Sequence, residues 1–135
     1  MRVDIVREGP VARLSLSGCD AIDSANAAEI KAESLRLLGD TPDVVVDLKS
    51  VDFLDSAGVG VLVGLFKNAR LRGGRARFCN LTPGVRSVLE IIQLDRIFEI
   101  YDDVETAARS SGEVSVVERA AAGRTRSGTP RSGRG

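Results

Sequence analysis

Ser56 stands between an aspartate and a run of small residues, in Asp52-Phe53-Leu54-Asp55-Ser56-Ala57-Gly58-Val59-Gly60. No other stretch of the sequence brings so many chemically capable residues together, and each chemistry they could do sets its own requirement. Asp52 and Asp55 would make a carboxylate pair. General acid–base work also needs a nucleophile, an oxyanion donor or a cofactor beside the pair, and the sequence places none there. Gly58, Gly60 and Gly64 do not fit G-x-G-x-x-G, and no G-x-x-x-x-G-K-[ST] occurs. Gly64 and Lys67 also fall inside an expected helix, so the glycines make no nucleotide loop. The Ser56 hydroxyl remains. It falls in the first turn of that helix or just ahead of it, where unpaired N–H groups and the positive end of the helix dipole gather. A phosphate on Ser56 is therefore expected to leave the domain folded while adding about two negative charges to its surface. Helix capping by Asp55-Ser56 and close packing at the glycines are the plainer roles of the same residues, and the residues alone leave both readings open.

The rest of the composition removes most catalytic classes. The 135 residues contain no histidine, which excludes Ser-His-Asp and Cys-His catalysis and His-ligated metals. Cys19 and Cys79 are sixty positions apart, a spacing that fits no metal motif. They read as packing residues of a protein kept in a reducing compartment. No metal, no cofactor and no enzymatic activity are expected. Nineteen basic and nineteen acidic residues balance to zero, whereas a nucleic-acid binder carries a basic excess. Arg70, Arg72, Arg75 and Arg77 crowd around Gly73-Gly74, but without interleaved aromatics they read as a solvated turn. The apolar runs fall far short of the ~20 residues that cross a bilayer, and Met1-Arg2-Val3-Asp4 has no leader layout. The expected location is the cytoplasm, with no membrane partner.

These side chains must be positioned by the elements around them. Residues 3–6 and 11–16 read as two strands joined at Gly9-Pro10, an antiparallel hairpin; in the second, Ala12, Leu14 and Leu16 alternate with Val11, Arg13, Ser15 and Ser17. Residues 25–38 read as a helix with Ala27, Ile30, Ser34, Leu37 and Leu38 on one face, capped by Asp23 or Ser24 and closed by Gly39. The β-branched run in residues 44–48 is a strand covered on both faces, hence central. A helix over residues 57–71 follows, with its stripe at Val59, Leu62, Val63, Phe66 and Ala69. After a strand at 75–79, Thr82 caps and Pro83 opens a third helix, striped by Val85, Val88, Leu89 and Ile92. A short extended segment at 97–101 and a last helix from the capping-box-like Asp102-Asp103-Val104-Glu105 to about residue 109 complete the order ββαβαβαβα. This order predicts an α/β fold: a mixed sheet with an N-terminal antiparallel hairpin, then alternating strands and helices, the helices packed on the sheet.

Charge separates the domain from its extension. Residues 1–111 carry 14 basic and 17 acidic side chains, a balance of −3, and residues 112–135 carry five arginines and two glutamates, a balance of +3. Beyond residue 120 nothing large and apolar remains, so 112–135 is expected to be a disordered basic tail behind a single domain at 1–111.

Three segments in order resemble the STAS-domain family, specifically the bacterial anti-sigma factor antagonists. Phe53-Leu54-Asp55-Ser56-Ala57-Gly58-Val59-Gly60-Val61-Leu62 is similar to its D-S-[ST/A]-G-[LIV]-[GA] signature. Asn80-Leu81-Thr82-Pro83 with Val85, Val88 and Leu89, followed by Leu94-Asp95-Arg96-Ile97-Phe98, resembles its later helix and ending. Ile22-Asp23-Ser24-Ala25-Asn26-Ala27 resembles the opening of its first helix. The resemblance implies a STAS-like fold with no cofactor. It implies that Ser56 is the residue phosphorylated by a partner, an anti-sigma factor that is also a serine kinase with a GHKL-type ATP-binding fold. The unphosphorylated protein would bind that partner and release a sigma factor, phosphorylation would end binding, and a serine phosphatase would restore it. The implied docking residues are Asp23, Ser24, Asp55, Ser56, Ala57, Gly58 and Val59, with Gly58 keeping the face low. The sequence departs from the family at Gly18-Cys19-Asp20-Ala21-Ile22-Asp23, two residues longer than usual. It departs also at Ala57, where many members carry Ser or Thr, which leaves Ser56 as the expected sole hydroxyl. The alternative within the same fold is a non-switching STAS subunit of a larger signalling or lipid-transport complex.

Overall fold

The computed structural model describes residues 2–110; the expected basic tail at 112–135 lies outside them. Strands β1 (Arg2–Glu8) and β2 (Val11–Ser17) form the antiparallel hairpin, with Gly9 at φ +63 in its turn. β2 then pairs in parallel with β4 (Asp43–Asp47), β4 with β6 (Ala76–Cys79), and β6 with β7 (Glu99–Tyr101). The five-stranded order is β1-β2-β4-β6-β7, the mixed α/β sheet that the alternating elements predicted. β4 is central, and Val44, Val45 and Val46 are all buried as expected of a strand covered on both faces.

The period-two pattern of the strands sorts two unequal cores. Leu14, Leu16, Val44, Val46 and Phe78 meet helices α1 (Ala27–Leu38), α2 (Ser56–Leu71) and α3 (Pro83–Ile91) in the main core, where the Phe78 and Phe98 rings stack at 4.5 Å. On the other face, Val45 and Cys79 pack with Ala107 of the short α4 (Val104–Arg109). The side chain of Arg77, 3% exposed, donates to Ala107 O at 2.8 Å, so its charge meets the carbonyl end of α4.

Several expected details differ. The buried stripe of α2 is Gly58, Val61, Leu62, Leu65 and Ala69, turned from the expected one, with Val59, Val63 and Phe66 only partly covered. Ile92 lies just past α3 and is 45% exposed. A 3-10 turn at Leu94–Arg96 precedes the segment expected to be extended at 97–101, of which only Glu99–Tyr101 pairs as a strand. Neither Asp23 nor Ser24 is the N-cap of α1: the helix starts after Asn26, which makes no side-chain cap bond. Two very short strands escaped sequence reading. β3 (Ala21–Ile22) and β5 (Phe53–Leu54) form a separate parallel pair.

Candidate functional site

The chain reaches Ser56 through a tightly tied loop at the C-terminal end of β4. Asp47 accepts from the backbone of Lys49 at 3.0 Å and from the Asn80 side chain at 3.1 Å. Ser50 Oγ donates to Leu16 O at 2.7 Å and Thr82 Oγ1 donates to Val51 O at 2.7 Å. These bonds fix the loop to β2, β6 and the start of α3 together. Gly84 lies so close beneath the loop that an added Cβ would stand 2.1 Å from Asp52 O.

The loop then meets the segment that follows β2. The Asp52 amide donates to Asp20 O at 2.7 Å, Ala21 pairs with Phe53 and Ile22 with Leu54, and the Asp55 amide donates to Ile22 O at 3.3 Å. Two residues far apart in sequence are thereby held side by side. Asp55 is the N-cap of α2, with extended backbone; its Oδ1 accepts from Gly58 N at 3.0 Å and its Oδ2 accepts from Ser24 N at 3.1 Å. These backbone donors, Gly58 first and Ser24 after it, hold the Asp55 carboxyl below the usual carboxylate range, against a smaller opposing effect of desolvation. Asp55 is therefore an anion at neutral pH.

Ser56 is the first residue of α2, and it is exposed. No described group hydrogen-bonds its hydroxyl, which leaves Oγ open to a visiting active centre. The N–H groups expected to receive a phosphate are already engaged in part, because the Asp55 carboxylate takes the Gly58 donor. Ala57 and Val59 are half-buried, while Gly58 is buried. Gly58 was expected to keep the docking face low; in the structure its missing side chain makes room inside the molecule. A Cβ there would stand 2.2 Å from Ile22 O. Gly60, two residues on, has nothing within 4 Å of such an atom.

Asp23 and Ser24 come to the same surface. The Asp23 amide donates to Asn26 Oδ1 at 3.0 Å and its own Oδ1 accepts from Ala25 N at 2.9 Å, a local turn ahead of α1. Asn26 Nδ2 reaches back to Ala21 O at 2.9 Å, and the Cys19 thiol donates to the same oxygen at 3.0 Å. The longer 18–23 loop is thus folded down rather than left free. Ser24 is exposed, so the face carries two hydroxyls, whereas the motif alone pointed to Ser56 as the sole one. The structure also adds Phe53, 53% exposed beside the motif. Phe53 and the Ser24 amide escaped sequence reading because a two-residue strand has no periodicity to read. The one available signal was Gly58, three residues into the helix from its cap.

The geometry offers a rigid, exposed surface with a free hydroxyl and a fixed negative charge. Among the described residues there is no His, Cys, Asp and Glu group able to hold a metal, and no helix is long and apolar enough to cross a membrane. A surface cleft walled by Phe66, Arg70, Arg75 and Ile97 opens on the later half of α2, away from Ser56.

The sequence model of the STAS domain matches residues 3–107. An anti-sigma-B factor antagonist of Bacillus subtilis is 28% identical over 114 residues, which cover 84% of this chain and 97% of that protein. An anti-sigma F factor antagonist of Paenibacillus polymyxa is 37% identical over 60 residues, 44% of this chain, and the match spans about half of that relative (51%). The crystal structure of an anti-sigma factor antagonist from Mycobacterium paratuberculosis superposes with a TM-score of 0.69 at 24% identity, covering 79% of this chain and 90% of that one. The Bacillus cell fate determinant SpoIIAA in its phosphorylated form superposes with a TM-score of 0.59 at 21% identity, covering 79% and 96%. At these identities the two structures share the fold.

Proposed function

The chain belongs to the STAS-domain family, and from that premise we propose that it is an anti-sigma factor antagonist whose binding is switched by phosphorylation of Ser56. The observation that carries the reading is the exposed Ser56 hydroxyl at the first residue of α2, on a surface already fixed by Asp55 and by the segment through Ser24. Relatives bearing the antagonist name match over most of the chain, and one solved neighbour is a phosphorylated form. In this reading the protein acts in the cytoplasm as a binding module and a kinase substrate, not as a catalyst. It needs no cofactor of its own and contacts neither nucleic acid nor membrane.

The partner is an anti-sigma factor that is also a GHKL-type serine kinase using ATP. It docks on the face formed by Asp23, Ser24, Asp55, Ser56, Ala57 and Val59, with the buried Gly58 supporting that face from within, and so releases its sigma factor. Within the complex Ser56 Oγ takes the terminal phosphoryl group of ATP, the hydroxyl proton leaves and ADP departs. The phosphate adds about two negative charges beside the ionised Asp55. An uncompensated charge at a closed interface costs several kcal/mol, and ~4 kcal/mol is about a thousandfold in affinity. That suffices to end binding with no change of fold. A serine phosphatase hydrolyses the ester and restores the docking form.

The test is to incubate the protein with its anti-sigma kinase and ATP and to map the product by peptide mass spectrometry. One phosphate on Ser56, absent from a Ser56→Ala variant, is the expected result. A stable complex with no phosphate gained would overturn the switch and fit a constitutive STAS subunit of a larger assembly.

A further inference from the structure

Segment 21–24 is attached to the start of α2 in three ways. Ala21 and Ile22 pair with Phe53 and Leu54, and the Asp55 amide donates to Ile22 O at 3.3 Å. Both attachments are main-chain and indifferent to charge at Ser56. The third is the bond from Ser24 N to Asp55 Oδ2 at 3.1 Å, which depends on a carboxylate. The other oxygen of that carboxylate holds Gly58 N at 3.0 Å, and Ser56, with Ala57, lies in the turn that this bond closes. Ser24 sits at the exposed end of the segment, beyond the two-residue pairing.

We propose that Asp55 is the positioning residue through which charge on Ser56 reaches Ser24, so that phosphorylation loosens the Ser24 end of the docking face as well as marking the face itself. The proposal rests on Ser56 as the place where charge changes. A dianion on the neighbouring residue raises the cost of keeping Asp55 ionised between its two donors. Its oxygens also compete with the carboxylate for nearby N–H groups. Of the three attachments only the Ser24 bond is exposed to both effects, because the strand pairing and the bond from the Asp55 amide to Ile22 O are main-chain and carry no charge. The outcome is local: Ser24 opens, while β3 and β5 stay paired and α2 stays folded. One covalent event thus alters two separate parts of the surface that a partner must match.

Backbone amide exchange on the full chain, read by two-dimensional NMR, tests this without any partner. Ser56→Glu should speed exchange at Ser24 about tenfold, as expected for loss of a hydrogen bond to a charged acceptor. Ser56→Gln, of the same size but neutral, should leave Ser24 within about twofold of the wild type, and the Asp55 amide should stay protected in both. Asp55→Asn, which keeps an acceptor for Gly58 but loses the charge, should speed Ser24 exchange while leaving the far-ultraviolet circular dichroism unchanged. Equal Ser24 exchange in Ser56→Glu and Ser56→Gln would overturn the proposal, as would an unchanged Ser24 in Asp55→Asn. Failure of the wild-type protein to engage an anti-sigma kinase would sink the functional reading and leave this amide result standing.

Discussion

Alanine at Gly58 should harm the protein and alanine at Gly60 should help it, although the two glycines sit two residues apart in one helix. A Cβ at Gly58 would stand 2.2 Å from Ile22 O, 3.0 Å from Ile22 C and 3.1 Å from Leu54 Cδ2. The carbonyl cannot swing away cheaply, because it accepts the Asp55 amide at 3.3 Å and belongs to a fully buried residue paired with Leu54. Relief therefore means moving β3 away from α2 by about an ångström, an overpacking cost of about 2–3 kcal/mol. Alanine's better helix propensity returns about 1 kcal/mol, so the net loss is about 1–2 kcal/mol. For a domain of this size that is a fall in Tm of about 5–10 °C. At Gly60 nothing lies within 4 Å, and only the propensity gain of about 0.5–1 kcal/mol remains. Urea unfolding at 25 °C, followed by circular dichroism, should place the two midpoints on opposite sides of the wild type. A Gly58→Ala protein as stable as the wild type would refute the close approach of Ile22 to α2.

Two other outcomes follow from the same structure. Thr82→Ala removes both the cap of α3, an acceptor for Val85 N at 3.4 Å, and the 2.7 Å bond to Val51 O; a loss of about 1–2 kcal/mol is expected by urea unfolding. Burial pushes the Tyr101 hydroxyl and the Cys79 thiol each up to about 12, from 10.0 and 9.0. The folded state then holds these protons more tightly than the unfolded chain, so their contribution is full below about pH 9 and is lost as pH rises toward 12. The urea midpoint should fall across that window, and less steeply in Tyr101→Phe; a flat profile would contradict the burial of both groups.

What the sequence showed and what it hid divide along physical lines. The central strand was legible because Val44, Val45 and Val46 leave no polar position to face water. The position of Ser56 was legible because Asp55 is a strong N-cap type at the end of an apolar run. The pairing of β3 with β5 was not, since two residues carry no period and the bond that joins them to the site comes from the Ser24 main chain. The stripe of α2 was misjudged because every position from Val59 to Phe66 is apolar or glycine, so hydrophobicity alone could not choose the buried side. Gly58 and Gly60 look alike in sequence; the carbonyl of Ile22, brought from more than thirty residues away, is what distinguishes them.

Central to this account is that charge on Ser56 governs docking while the scaffold stays intact. The most direct measurement is a calorimetric titration of the anti-sigma kinase with protein fully phosphorylated at Ser56 and, separately, with unmodified protein. An affinity lower by about a hundredfold to a thousandfold for the phosphorylated form, with superimposable far-ultraviolet circular dichroism, is the predicted result. Equal affinities for the two forms would contradict it.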